Sequence, residues 1–450
     1  MLKLHGVGRL GLRLGPTGLA LGTRRLHYAW VIVAVASLMG MISSSVRFAT
    51  SVLVPHLRDP AGLGWGYSAI AFAFTLQWLI SGLVSPWVGW LGDRYGVRRT
   101  LVLGALLFIA GMLLTGTMTH LWQFYLYFGI LLGIATTVFQ ILLVSGVTLW
   151  FRRYLGIAVG ALWAFQGLGT ILLIPLMAMV FNLWGLRWAF WLPGLVGGAL
   201  MLWLIRPFYN EPAAIGLRPL GAPGDEPIRS VHTDDTAQIR IRVFLRQAQR
   251  TATFWNLIGI HFWGCAGHNI INVFLVAIAV DRGLSHDMAV GVFLTHTVVG
   301  TITRFLVPVV ADRIGSKRVW IVCFSLQVFP LLIPLVAHQV WAFYLFAVLF
   351  GIGQGGEVPT FPIINRQYYG NAPQGAIYGW QNIGNGLGMG LGPVIGGFLW
   401  DITGDYAAAL GMSFVFSLVG LSSVLLLPST ARRLIANWEE ALPPEARSSA

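Results

Sequence analysis

Twelve membrane-crossing α-helices in two six-helix halves are the fold that the sequence predicts, and three observations predict it. The 450 residues are 56% hydrophobic and only 10% charged, with a mean hydropathy of +0.73. A soluble domain carries about 25% charge. Apolar segments long enough to span a bilayer recur at 28–54, 68–90, 100–119, 122–149, 155–180, 188–205, 254–280, 288–310, 318–337, 341–365, 375–400 and 406–427. A span needs about 20 such residues. A polar stretch separates six spans from six, and a short motif recurs at the same place in each half. The segments are too long for barrel strands and show no period-2 alternation, which excludes an outer-membrane barrel.

Residues 1–27 carry Lys3, Arg9, Arg13, Arg24 and Arg25 and no acid. They are Gly-rich and lack Ser, so they read as a cytoplasmic tail rather than a transit peptide. Residues 28–205 form the first bundle and 254–427 the second. Between them, 206–253 begins rich in Pro, Gly and acid. From about Ile239 to Arg250 it takes helical spacing, with Arg240, Arg242, Arg246 and Arg250 beside Val243, Phe244 and Leu245. That pattern suits a basic helix on the inner leaflet. Residues 428–450 are a short C-terminal tail.

The net charge of +13 invites a nucleic-acid reading, and its distribution argues against one. Of 29 Lys and Arg, 24 fall in the tails, the central linker and the even-numbered loops, and only Arg58, Arg187 and Arg282 fall in odd-numbered loops. This is the positive-inside asymmetry, with both termini cytoplasmic. It implies the bilayer and its anionic lipid as partner, not nucleic acid. Cys265 and Cys323 both lie within spans, and neither a disulfide framework nor metal-ligand spacing is evident.

The remaining two cations, Arg47 and Arg304, sit inside apolar spans. A permanent cation in hydrocarbon costs at least a few kcal/mol, and Arg does not shed its proton. Such residues face a bundle interior or a water-filled cavity. At 1.5 Å per residue, Arg47 lies about 7 Å to one side of the midplane and Arg304 about 7 Å to the other. A guanidinium fork matches a carboxylate. One or both therefore bind an anion, in a site open alternately to each side. The alternatives are backbone satisfaction for Arg304 and snorkelling or gating for Arg47.

Glu357 is the only acid well inside a span. It either carries a coupling proton or neutralises an arginine. Pro359 and Pro362 after Gly353, Gly355 and Gly356 predict a bent helix there. His261, His268 and His296 are further proton-handling candidates. Tyr125, Tyr127, Gln140, Gln166, Asn269, Asn272, Gln381, Asn382 and Asn385 either line the cavity or bond between helices. Gly384, Gly388, Gly392 and Gly396 give span 11 a face without side chains, and Gly156 and Gly160 do the same in span 5. These faces predict close, sliding contacts between the halves.

The recurring motif is Gly89-Trp-Leu-Gly-Asp93-Arg94-Tyr-Gly96-Val-Arg98-Arg99 after span 2 and Pro308-Val-Val-Ala-Asp312-Arg313-Ile-Gly315-Ser-Lys317-Arg318 after span 8. A weaker echo opens spans 6 and 12, at Gly185-Leu-Arg-Trp188-Ala and Gly404-Asp-Tyr406-Ala. Internal repeats are how transporters build a central site. The first loop resembles the signature loop of the major facilitator superfamily, and the resemblance covers nearly the whole chain. It implies that Asp93, Arg94, Arg98, Asp312 and Arg313 latch the halves as a conformational gate. Gly40-Met-Ile-Ser-Ser-Ser-Val-Arg47 and Thr303-Arg304-Phe-Leu-Val-Pro308 resemble the monocarboxylate transporters, where a Lys stands at the position of Arg47. The oxalate–formate antiporters place an Arg at the position of Arg304, and linker residues Glu211–Gly221 and Thr251–Trp255 resemble that group too. The chain departs from both patterns. Gly300 stands where animal monocarboxylate transporters carry an Asp, and span 11 lacks the Lys of the oxalate exchangers. The run from Gly388 to Gly397 looks like the superfamily's antiporter signature but lies in span 11 instead of span 5, and reads as packing.

The expectation is a non-enzymatic carrier of small organic carboxylates in the inner (plasma) membrane, working as a monomer without cofactor or metal. It moves its anion with a proton or against another anion. The expected substrate-binding residues are Arg304, Arg47, Tyr125, Gln140, Gln166, Asn269, Gln381 and Asn385. Glu357, His268 and His296 are those expected to handle the proton. Efflux of a lipophilic compound leaves the buried cations unexplained. A transporter-like sensor lacks an effector domain in 428–450, and no enzymatic constellation has usable spacing.

Overall fold

The computed structural model describes residues 14–15, 18–21, 24–49, 54–58, 63–224, 228, 236–370 and 375–447. In the first half, spans 1 to 4 are Ala29–Ala49, Tyr67–Tyr95, Val97–Thr115 and Leu121–Leu149. Positions 50–53, the end of the expected span 1, lie outside the described residues. Spans 5 and 6 run together as Leu155–Leu204, broken at Gly185 with φ +81°. A single glycine serves as the whole turn, because only it adopts that backbone without strain. Spans 7 to 12 are Ala252–Asp281, His286–Ile314, Ser316–Val336, Val340–Tyr369, Gly375–Thr403 and Tyr406–Leu425. Ten of the described helices are long and apolar enough to cross a membrane, counting Leu155–Leu204 as one. The glycine-rich span 11 is long enough but is not among those ten.

Side-chain caps start three of these helices. Thr251 accepts from the Phe254 N–H, Ser285 from Met288 and Asp405 from Ala407. Four spans are irregular, among them span 6 with a π-helical stretch at Pro193–Gly197 and span 9 with a 3₁₀ turn at Phe329–Leu331. Span 4 opens with a π-helical stretch, Tyr125–Leu131. Span 10 passes through a 3₁₀ turn at Val358–Thr360, immediately after Glu357, where the prolines predict a bend. The freed Glu357 carbonyl accepts from the Trp320 indole at 3.1 Å.

Outside the spans, Leu14–Gly15, Gly18–Leu21 and Arg24–Leu26 pair as short antiparallel strands, where the sequence suggests a plain tail. The linker helix is Ala237–Gln249. It turns Ile241, Phe244 and Ala248 into the protein and leaves Arg242, Arg246 and Arg250 exposed. Phe244 meets Tyr369 and Trp438 edge-on, and Arg240 pairs with Glu439 of the C-terminal tail.

The halves meet along two seams, both beginning at the end that carries the termini. On one, span 2 lies against span 11. A β-carbon on Gly89, Gly379 or Gly386 would overlap the backbone of the facing helix at Gly375, Ser85 and Gly82 respectively. On the other, span 5 lies against span 8, with Gly156 facing Pro308 and Asp312 and Gly160 facing Phe305. The expected cross-half role of Gly156 and Gly160 matches this geometry. The expected role of the Gly384, Gly388, Gly392 and Gly396 face does not. That face packs on span 7 of its own half, against Ile258, Phe262, Ala266 and Phe274. The glycines of span 11 that cross to the other half are Gly375, Gly379, Gly386 and Gly390. Four-residue spacing marks a close helix contact but does not say which neighbour makes it.

Two substitutions separate these faces. Gly388→Leu overpacks the second half and lowers the thermal unfolding temperature, since overpacking costs about 1–3 kcal/mol. Gly386→Leu overlaps span 2 only while the halves are closed at this end. It leaves unfolding near wild type and lowers the transport rate. Equal loss of stability in the two variants refutes the assignment.

Candidate functional site

Arg304 lies in span 8 on the side away from lipid. Val298, Ile302 and Leu306 are exposed on the outer face, and Arg304 is two residues beyond Ile302, about 200° round the helix. Its neighbours Thr301 and Phe305 pack on Gly167 and Gly160 of span 5. Arg304 is half-buried, and among the described residues it has no hydrogen-bond or ion-pair partner. One turn earlier, a β-carbon on Gly300 would find nothing nearer than the Gly351 carbonyl at 3.7 Å. The cation is therefore uncompensated, with room beside it.

Arg47 is placed differently. It is 5% exposed and held inside the first half. Its Nε donates to Gln77 at 3.0 Å, one terminal nitrogen donates to Thr136 at 2.8 Å, and its guanidinium lies 3.8 Å from the Trp78 ring centre. Gln77 is itself anchored by donating to the Phe128 carbonyl at 3.1 Å. The charge is dispersed over neutral dipoles and a π face, with no carboxylate among the described residues. It does not snorkel.

Glu357 is fully buried in the second half. Its Oε2 lies 3.1 Å from His268 Nδ1 and accepts from Gln327 at 3.0 Å. Cys265 Sγ sits 3.9 Å from Oε1, and Gly264 leaves the space that the carboxylate fills. The expectation that Glu357 neutralises an arginine is overturned: its partner is an imidazole on span 7. Although the sequence shows no metal-ligand spacing, Cys265, His268 and Glu357 bring their ligand-type atoms within 4.8 Å of one another. Each is engaged in hydrogen bonding.

The other candidates divide. His296 bonds Asn272 at 3.1 Å and lies tilted against the Phe350 ring, with no hydrogen bond to Glu357 among the described residues. His261 stacks on Phe361 and bonds the Gln381 carbonyl. Gln381 forms a reciprocal amide pair with Asn365, and Asn269 donates to the Met389 carbonyl, so both tie helices within one half. Gln166 packs on Gly40 of span 1. Tyr125 meets Phe72 edge-on and Tyr127 meets Trp122. Gln140 crosses between halves, donating to Asn382 at 3.1 Å, and Asn385 donates to the same oxygen at 2.8 Å.

At the closed end the motif acids act as reciprocal helix caps. Asp93 accepts from the Ala376 N–H at the start of span 11, at 2.8 Å. Asp312 accepts from the Gly156 N–H at the start of span 5, at 3.1 Å. Each carboxylate meets the positive end of a helix in the opposite half. Arg94 lies over the Trp90 and Tyr95 rings. Arg98 and Arg313 are exposed, and the Arg98 N–H donates to Asn210 at 2.8 Å.

Neighbours of the candidate residues that lie beyond the sequence reading are Gln77, Thr136 and Trp78 around Arg47, and Cys265 and Gln327 around Glu357. Gln77 and Gln327 carry a signal, an amide in an apolar span. Cys265 carries none.

A family model described as Major Facilitator Superfamily matches residues 33–307 and 257–447. An oxalate:formate antiporter of Oxalobacter formigenes is 26% identical over 391 residues, covering 84% of this chain and 88% of that protein. Monocarboxylate transporter 12-B of Danio rerio is 24% identical over 423 residues, covering 90% and 87%. Monocarboxylate transporter 11 of Homo sapiens is 26% identical over 416 residues, covering 89% and 83%. Among solved structures, the proton:xylose symporter XylE superposes with a TM-score of 0.69 at 16% identity, over 92% of this chain and 99% of that one. FucP in its outward conformation gives 0.65 at 15% identity, over 89% and 99%. At that identity the two structures share the fold alone. With one family model spanning both halves and the two-bundle architecture to match, the chain belongs to the major facilitator superfamily.

Proposed function

We propose that the chain carries small monocarboxylates by alternating access, with the carboxylate on Arg304 and a proton on the Glu357–His268 pair. The observation that supports it is the uncompensated, inward-facing Arg304. A cation kept in the membrane without a protein partner is stabilised by a substrate anion, and the guanidinium fork fits a carboxylate. Gly300 leaves that charge unbalanced and leaves space for the substrate. The Glu357–His268 pair is neutral with its exchangeable proton and carries one negative charge without it, so one proton balances one monoanion. The cytoplasmic placement of both termini, the inner membrane and a monomeric state belong to the same reading. Exchange of one organic anion for another is the second reading, favoured by the antiporter relative.

Purified protein in liposomes tests both, with radiolabelled lactate, pyruvate, oxalate and formate. Net uptake of lactate or pyruvate that rises with an inward proton gradient is expected. Uptake that needs internal anion and ignores the gradient selects exchange. No uptake of any of the four refutes the carboxylate assignment.

A further inference from the structure

Among the described residues, Gln140 is the member of the first half that joins a continuous polar chain leading to Glu357. Its Nε2 donates to Asn382 Oδ1 at 3.1 Å. Asn385 Nδ2 donates to that same oxygen at 2.8 Å. Asn385 Oδ1 accepts from the Cys265 thiol at 3.2 Å. The same sulfur stands 3.9 Å from Glu357 Oε1. Every member but Gln140 is buried.

Cys265 has one S–H and two acceptors within reach. A neutral amide oxygen is the nearer, and a carboxylate oxygen is the farther. A thiol donates more strongly to an anion than to an amide. The charge on Glu357 therefore decides which acceptor holds the proton. With the pair's proton on the Glu357 carboxyl, the thiol stays on Asn385. This keeps the Asn385 amide turned so that its Nδ2 reaches Asn382. When the pair loses its proton, the carboxylate draws the S–H away, and Asn385 Oδ1 loses its donor. The Asn385 amide is then held only through its own bond to Asn382, and the Asn382 oxygen that Gln140 holds across the halves is fixed less firmly.

A second observation shows that the chain has another arrangement available. Asn382 Nδ2 is buried with no partner, while its Oδ1 takes two donors. A buried amide donor left unmade is costly, and turning Gln140, Asn382 and Asn385 over together gives it a partner.

We propose that Cys265, Asn385 and Asn382 relay the charge of the Glu357–His268 pair to the Gln140 contact, so that protonation of a buried site in one half sets how firmly the halves hold together at mid-membrane. The inference rests on the proton assignment made above and adds its route. The other groups facing the pair are few. Span 9 brings Cys323 and the neutral Gln327 and Trp320. Span 7 brings His261, and span 8 brings His296 with Arg304 beyond it. Span 11 brings Tyr378, and span 12 brings Ser413 and Ser417 against Gly267. None of these contacts both the pair and the opposite half, whereas the Cys265 chain does.

The test is made on the full chain in liposomes, comparing the pH profile of net carboxylate uptake with anion exchange at fixed pH. Cys265→Ala is expected to keep exchange and to flatten the pH profile of net uptake by about tenfold. Cys265→Ser restores a donor and is expected to restore the profile. Asn382→Leu is expected to flatten it as Cys265→Ala does, and the double variant no further. Retained exchange shows that Cys265→Ala is folded; if it is not, the Ser variant and the Asn382 variant carry the test. A wild-type profile in Cys265→Ala or in Asn382→Leu overturns the relay. If Glu357→Gln abolishes the pH dependence in the same assay, the proton assignment stands while the relay falls. If Glu357→Gln also keeps the wild-type profile, the proton assignment itself falls.

Discussion

Arg304→Ala is expected to abolish high-affinity carboxylate uptake and to leave the protein at least as stable as wild type. The two halves of this result come from one fact, that Arg304 has no protein partner among the described residues. Its removal leaves no orphaned acceptor and relieves a desolvated charge. The carboxylate, however, loses a two-pronged, charge-assisted contact. At about 1.5–3 kcal/mol for each hydrogen bond to a charged group, affinity falls about a hundredfold or more. Arg304→Lys keeps the charge and loses the fork, so it retains weak, low-affinity uptake. Arg47→Ala gives the opposite signature. It strands the Gln77 oxygen, which is held in place by its own amide on Phe128, and empties a space over Trp78. A buried acceptor without a donor costs about 1–3 kcal/mol, so Arg47→Ala unfolds at lower temperature. Uptake kinetics and thermal unfolding on the two variants check this together. Wild-type uptake in Arg304→Ala removes the anion site from span 8.

The contrast between these arginines marks the boundary of what the sequence can say. Both are visible in it, because a cation among apolar residues is an energetic anomaly at any helix rotation. Their partners are not visible. Gln77 and Thr136 are 30 and 89 positions from Arg47 and reach it only through the way spans 1, 2 and 4 pack. His268 is likewise 89 positions from Glu357. Periodicity and length fix where spans lie, and the repeated Asp93 and Asp312 loops fix where the halves touch. Helix rotation is set by packing against neighbours, which is why the most regular glycine row of span 11 proved to face span 7. The π-helical opening of span 4 and the one-residue turn at Gly185 left no periodicity to read. The proline break after Glu357 did, because proline removes a donor wherever it stands.

Glu357→Gln separates charge from shape at the buried cluster. Glutamine is nearly isosteric, so it still fills the space beside Gly264, and its oxygen still accepts from Gln327 and faces His268. What it cannot do is take up and release a proton. In the proposed cycle, lowering the pH on the uptake side favours the neutral pair and speeds net entry of the monoanion. In Glu357→Gln position 357 no longer changes charge, so net uptake is expected to lose its response to a proton gradient, by about tenfold or more. Anion exchange continues, because the carboxylate contact at Arg304 is untouched and exchange moves no net charge. Glu357→Ala is the control for packing. It opens a void against Gly264, strands Gln327 and His268, and costs about 2–5 kcal/mol by the usual penalty for a buried large-to-small change. Loss of exchange as well as proton response in the glutamine variant assigns Glu357 to structure alone. A proton response preserved in that variant moves the coupling site away from span 10 altogether.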